Sequence, residues 1–254
     1  DDMGRILGRI QTYWTNRAEG YSKVNQEELA GEQKSRWLRV LEEEFPKKAP
    51  SEIQVLDIGT GPGFFAIILA RAGYRVTAVD YTEEMLRKAR ENAGPYADRI
   101  CWMRMDAQEL ELPDNRFDVV VSRNLTWNLE APGRAYEEWR RVLKKGGLLL
   151  NFDANWYAHL FDEEKRRGYE EDRRNVENLH LEDHYTGTDI DEMERIAREV
   201  PLSPVSRPAW DVRALKNAGF RSVYTDESVW KRVWSDVEKV NYASTPMFLV
   251  KAVK

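Results

Sequence analysis

Val55-Leu56-Asp57-Ile58-Gly59-Thr60-Gly61-Pro62-Gly63 leads from a short apolar run into three glycines at alternate positions, and the apolar stretch Phe64 to Ala72 follows at once. The pattern is a strand, a Cβ-free turn and a helix. Without side chains in the turn a ligand can approach the backbone, and the first amides of the helix meet it with a partial positive charge. A polar or anionic ligand group belongs there. A dinucleotide fingerprint requires Gly or Ala three places after Gly61, where this chain has Phe64, and Gly63 comes one residue early. This disfavours an NAD-dependent oxidoreductase. Asp57, two residues before the first glycine, suits a ligand with an ammonium group better than one with a pyrophosphate.

Outward from this turn, short apolar runs alternate with amphipathic stretches: Ile53 to Ile58, Phe64 to Ala72, Arg75 to Val79, Glu83 to Asn92 and Ile100 to Met105. The alternation continues through Phe117 to Ser122, a helix over Gly133 to Leu143, a turn at Lys144 to Gly147 and a strand over Leu148 to Phe152. Strands alternating with helices imply a parallel sheet covered on both faces, an α/β Rossmann-like fold. Val212 to Ala218 reads as a helix ended by Gly219, and Ser222 to Thr225 and Met247 to Val250 supply two further strands.

Two acids extend the ligand reading. Asp80 ends the second strand 21 residues after Gly59, where a carboxylate can accept from both hydroxyls of a ribose. Asp106 ends the third strand, where it can accept from an exocyclic adenine amine, with Tyr81 and Met85 as apolar cover. Glycine loop, ribose acid and adenine acid form one ordered set.

This set resembles the class I S-adenosylmethionine (SAM)-dependent methyltransferases, near the ubiquinone/menaquinone-biosynthesis type of small-molecule enzymes. The resemblance runs from Ile53 to Phe152. It rests on the glycine segment, Val79 to Leu86, Met105-Asp106-Ala107, Phe117 to Ser122 and Arg140 to Gly147, with Ala218-Gly219-Phe220 beyond it. It implies a seven-stranded, mostly parallel sheet whose last strand is antiparallel and lies next to the sixth. It implies SAM as cofactor, with S-adenosylhomocysteine (SAH) as product, and a small-molecule methyl acceptor. The cofactor-binding candidates are Tyr21, Asp57, Gly59, Thr60, Gly61, Gly63, Asp80, Tyr81, Met85, Asp106, Ala107, Arg123 and Asn124. Two departures stand out: Lys145 replaces the usual Pro before the double glycine, and no family motif covers Asp153 to Pro208.

Residues 1–50 read as helical up to Phe45, and Tyr13 to Ser22 resembles the segment that folds over bound SAM in these enzymes. They are expected to form a lid, residues 51–152 the cofactor-binding core, residues 153–208 a helical cap that shapes the acceptor pocket, and residues 209–254 the rest of the sheet. Tyr13, Trp14, Trp127, Trp156 and Tyr157 are candidates to surround the acceptor or the sulfonium by cation–π attraction. If the acceptor must lose a proton, Asp153, His184 and Tyr185 are candidate bases, and nothing ranks them. His180 and His184 lie four apart, but with no third ligand no metal site is assigned.

The 254 residues suffice for one domain with an insertion. Net charge is −5 with acids and bases interleaved, which argues against nucleic acid as a partner. The longest apolar run falls far short of a membrane span. A single cysteine, Cys101, permits no intramolecular disulfide and fits a reducing cytoplasm. A homodimer is compatible with all of this. The rival from another class is a SAM-binding sensor or partner subunit without catalysis.

Overall fold

Val55 to Ile58 bury every side chain, as expected of a strand covered on both faces, and they form most of the central strand β1 (Gln54–Ile58). The computed structural model describes residues 2–186 and 188–254. Ahead of β1 lie α1 (Asp2–Ala30) and α2 (Gln33–Glu44). After it come α3 (Phe64–Arg71), β2 (Arg75–Asp80), α4 (Glu83–Ala93), β3 (Ile100–Arg104), β4 (Phe117–Arg123), α5 (Pro132–Val142) and β5 (Leu143–Asp153). The chain continues through α6 (Glu163–Asn178), α7 (Ile190–Glu199), α8 (Ala209–Ala218), β6 (Ser222–Asp226), α9 (Trp230–Val233), α10 (Asp236–Asn241) and β7 (Phe248–Val253).

The seven strands form one sheet in the order β3-β2-β1-β4-β5-β7-β6, with β1 to β5 parallel and β7 antiparallel to both neighbours. β7 therefore sits between β5 and β6, the arrangement the resemblance implied. On one face of the sheet α2 and α3 pack through Trp37, Phe65 and Ile67, with the Trp37 ring 4.9 Å edge-on to Phe152. On the other face α5 and α8 contribute Tyr136, Trp139 and Leu215. A third, separate cluster joins Ile10 and Tyr13 of α1 to Met193, Ile196 and Ala197 of α7. Within the stretch after β5, α7 therefore packs on the N-terminal helix.

Several boundaries differ from the sequence reading. The N-terminal helical stretch is two helices, because the chain turns at Gly31 and Glu32. The turn read at Lys144 to Gly147 is an irregularity inside β5: Phe117 pairs with Leu143, but Val119 already pairs with Leu148. Gly146, at φ +80°, absorbs the extra residues. The last strand runs later than expected, from Phe248 to Val253, and the short helices α9 and α10 had no counterpart in the sequence reading.

Candidate functional site

Strand order reverses about β1, whose neighbours are β2 on one side and β4 on the other. At such a reversal the connections leave in opposite directions and open a crevice at the carboxyl edge. The glycine loop lies in this crevice. Gly59 N and Thr60 N both donate to the Val79 carbonyl (2.9 and 3.0 Å), which ties the loop to the end of β2. Asp80 tightens the same tie, accepting from Gly61 N at 2.8 Å and Thr82 N at 2.9 Å. Behind the loop, Asp57 accepts from the Thr60 hydroxyl at 2.7 Å. Burial pushes the Asp57 carboxyl up to about 7 and the Asp80 carboxyl up to about 6.

Two of the glycines are required for different reasons. Gly61 has φ +55°, and a Cβ there would stand 3.4 Å from Tyr21 Cε1, on the wall of a cavity. Gly63 has φ +95°, and a Cβ there would come within 2.9 Å of Ala89 Cβ, so its smallness serves the packing of α3 against α4.

The crevice holds a cavity that opens to solvent. Its lining includes Gly59, Gly61, Asp80, Tyr81, Met85, Asp106 and Ala107, together with Tyr21, Arg123 and Asn124. Asp57, Thr60 and Gly63 lie outside its lining and act on the shape of the loop. Gln108 N and Nε2 both donate to Asp106 Oδ1, at 2.9 and 3.1 Å. Two buried acceptor atoms here, Asn124 Oδ1 and Glu130 Oε1, have no hydrogen-bond partner among the described residues. Buried polar atoms are nearly always satisfied, so these two stand out as acceptors left open on the cavity wall.

A second cavity, which shares Tyr21 with the first, is walled mainly by aromatic rings. Tyr13, Trp14, Trp127, Trp156 and Tyr157 line it, as do His184 and Tyr185. These residues come from α1, the β4–α5 loop, and the stretch after β5. Trp14, Tyr21, Arg123 and Asn124 line both cavities. Asp153, the third candidate base, lines neither: it is fully buried in an ion pair with Arg207. His180 and His184 do not share a helix face, since both follow the end of α6.

Residues 56–151 match the family model described as the methyltransferase domain. The core of the chain is a class I methyltransferase domain. Domains of this class use SAM. The ubiquinone/menaquinone biosynthesis C-methyltransferase of Roseobacter denitrificans is 32% identical over 151 residues, which cover 58% of this chain and 59% of that protein. The chain thus spans little more than half the length of that relative. Among solved structures, an S-adenosyl-L-methionine-dependent methyltransferase of Methanococcus maripaludis superposes with a TM-score of 0.61 at 21% identity, covering 94% of this chain and 93% of that one. A Haloferax volcanii methyltransferase in complex with the activator Trm112 gives 0.60 at 20% identity, covering 94% and 96%. At such identities the shared feature is the fold.

Around the methyltransferase domain, the sequence reading missed several residues of the site. Arg123 donates twice to Glu28 of α1, from Nη1 to Oε2 at 2.8 Å and from Nη2 to Oε1 at 3.1 Å. The guanidinium lies 4.7 Å from the Phe64 ring centroid and 5.3 Å from that of Trp37. Burial pushes the Glu28 carboxyl up, against the pull of Arg123. Trp234 and Tyr242 complete the aromatic wall, and the Tyr242 hydroxyl lies 3.2 Å from His184 Nδ1. No local motif marks these residues; each reaches the site from an element far away in sequence. α1 is held over the loop by Asn25, whose Oδ1 accepts from Phe64 N at 3.2 Å, and by Asn92, which donates to Ser22 Oγ and the Pro62 carbonyl, each at 3.0 Å.

Proposed function

We propose that the protein binds SAM in the first cavity and a small-molecule methyl acceptor in the second, with transfer where the two adjoin. The observation that carries this is that the same four residues, Trp14, Tyr21, Arg123 and Asn124, line both cavities. Gly61 leaves room for the methionine portion, Asp80 and Asp106 accept from ribose and adenine, and Asn124 Oδ1 faces the remaining donors. When bound, SAM supplies a methyl group on a sulfonium, and donation of an acceptor lone pair to that carbon leaves the neutral thioether SAH.

The chain's own contribution is alignment and the exclusion of water. α1 and the stretch after β5 cover the carboxyl edge of the sheet and act as lid and cap. The aromatic wall favours an acceptor with apolar or planar surface, held with its nucleophilic atom toward Tyr21 and Asn124. If that atom carries a proton, His184, bonded to Tyr242, is the group in the acceptor cavity placed to receive it, since burial keeps the Tyr185 phenol protonated.

The test is to incubate the protein with SAM and fractions of a small-molecule extract, measuring SAH by mass spectrometry. SAH formation that depends on one fraction, and falls in Asp80→Ala, supports the proposal. SAM binding with no SAH formed from any fraction favours a sensor or partner subunit. A rise in melting temperature with NAD but not with SAM overturns the cofactor assignment.

A further inference from the structure

Asp153 and Arg207 are 54 residues apart, at the two ends of the stretch between β5 and α8, yet they form a fully buried pair: Arg207 Nη1 donates to Asp153 Oδ2 at 2.7 Å. The same carboxylate oxygen accepts from the backbone N of Trp127 at 2.9 Å. On its other side Arg207 donates from Nε and Nη2 to Asp211 of α8, each at 2.9 Å. Asp211 accepts from the Tyr136 hydroxyl at 3.1 Å. Asn151 closes the network, donating to the Tyr136 oxygen at 2.9 Å and to the Thr126 hydroxyl at 2.8 Å. Two hydrogen bonds thus grip consecutive residues of one loop, Thr126 and Trp127. That loop carries Trp127 into the acceptor cavity, where its ring lies 5.0 Å from Tyr157.

We infer that Asp153 and Arg207 are positioning residues that set Trp127 in the wall of the acceptor cavity, and that Asp153 is not a proton acceptor. Naming that cavity rests on the function proposed above; the placement of Trp127 does not. Only Oδ2 of Asp153 is used, by both Trp127 N and Arg207 Nη1, while Oδ1 is buried without a partner. An asparagine can put its one oxygen in the Oδ2 place, so the required property is an acceptor atom at one point rather than a removable charge. A proton acceptor would need access to the acceptor, and Asp153 is walled off by Arg207 and the loop backbone.

The test uses protein labelled with 5-fluorotryptophan, which gives a fluorine NMR line for each of the nine tryptophans, the Trp127 line being identified by its loss in Trp127→Phe. In Asp153→Asn the Trp127 line should stay in place and its amide should remain protected from hydrogen exchange. In Asp153→Ala the line should move or broaden, while lines remote from the loop stay. SAH affinity, measured calorimetrically on the same samples, should stay within about twofold in Asp153→Asn, because neither Asp153 nor Trp127 lines the first cavity. An unmoved Trp127 line in folded Asp153→Ala overturns the inference. If Asp153→Ala does not fold, Asp153→Asn decides alone: a displaced line or a lost amide protection overturns it. Loss of SAH binding in the wild type would instead strike at the proposed function and leave the Trp127 result standing.

Discussion

Replacing Gly61 by valine tests the cofactor site at the point where the backbone itself is the wall. Gly61 sits at φ +55°, and its N–H is held by Asp80 at 2.8 Å, so the loop has little freedom to relax. Holding an L-residue in this left-handed conformation costs about 1–2 kcal/mol, with a β-branched side chain at the upper end. For a chain of this size each kcal/mol corresponds to about 2–4 °C, so the melting temperature should fall by about 2–8 °C and the protein stay folded. The effect on binding should be larger. The new Cβ stands 3.4 Å from Tyr21 Cε1, and the two methyls beyond it enter the cavity or displace the tyrosine ring. SAH affinity should fall at least about 100-fold, equivalent to about 2.7 kcal/mol. Gly61→Ala separates the two effects, because its Cβ makes only ordinary contact with Tyr21 and mainly the backbone cost remains. Calorimetric titration with SAH, with circular dichroism to confirm folding, reads both. Binding by folded Gly61→Val within about threefold of the wild type would refute the placement of the ligand at this loop.

Other substitutions probe the same site. Asp80→Ala removes the acceptor for Gly61 N and Thr82 N as well as for the ribose, and should weaken SAH binding by about 1–3 kcal/mol; an unchanged dissociation constant counts against the ribose role. Asp57 has its folded pKa raised from 3.8 to about 7. The folded state therefore keeps a proton that the unfolded chain loses near pH 4, and the stability this gives is present below pH 4 and lost as pH rises through about 7. That loss amounts to at most about 4 kcal/mol, and Asp57→Asn should flatten the pH dependence of thermal unfolding in this window. Arg123→Met leaves Glu28 buried without its partner and should cost about 3–5 kcal/mol by denaturant unfolding. Adding Glu28→Gln should recover part of it, and strictly additive losses would show that the pair is not coupled.

That several of the cofactor candidates would line one cavity was legible because their signals are local. The turn after β1 needs glycines, Asp80 ends β2 and Asp106 follows the end of β3 by two residues, so sequence spacing carries each of them to the carboxyl edge of the sheet. Asp57, Thr60 and Gly63 belonged to the same motif, but spacing could not tell residues that face the cavity from residues that shape the loop. The difference lies in which way each side chain leaves the backbone: Asp57 turns back to the Thr60 hydroxyl, and Gly63 faces Ala89. Asp153 shows the same limit more sharply. Its place at the end of β5 suited a base, but a carboxylate's role depends on its neighbours, and Arg207 lies 54 residues further on.

By itself the sequence determined the alternation of strands and helices, the glycine loop with its two acids, and the aromatic character of the segments on either side of the core. These follow from hydrophobic period and backbone conformation, which act between residues close along the chain. Only the tertiary structure decided that α1 and α7 share a cluster, that Glu28 pairs with Arg123 across 95 residues, and that rings from α1, the β4–α5 loop and α10's end meet in one cavity. Such contacts are set by how the helices pack once the sheet has formed, and no short-range pattern in the chain encodes them.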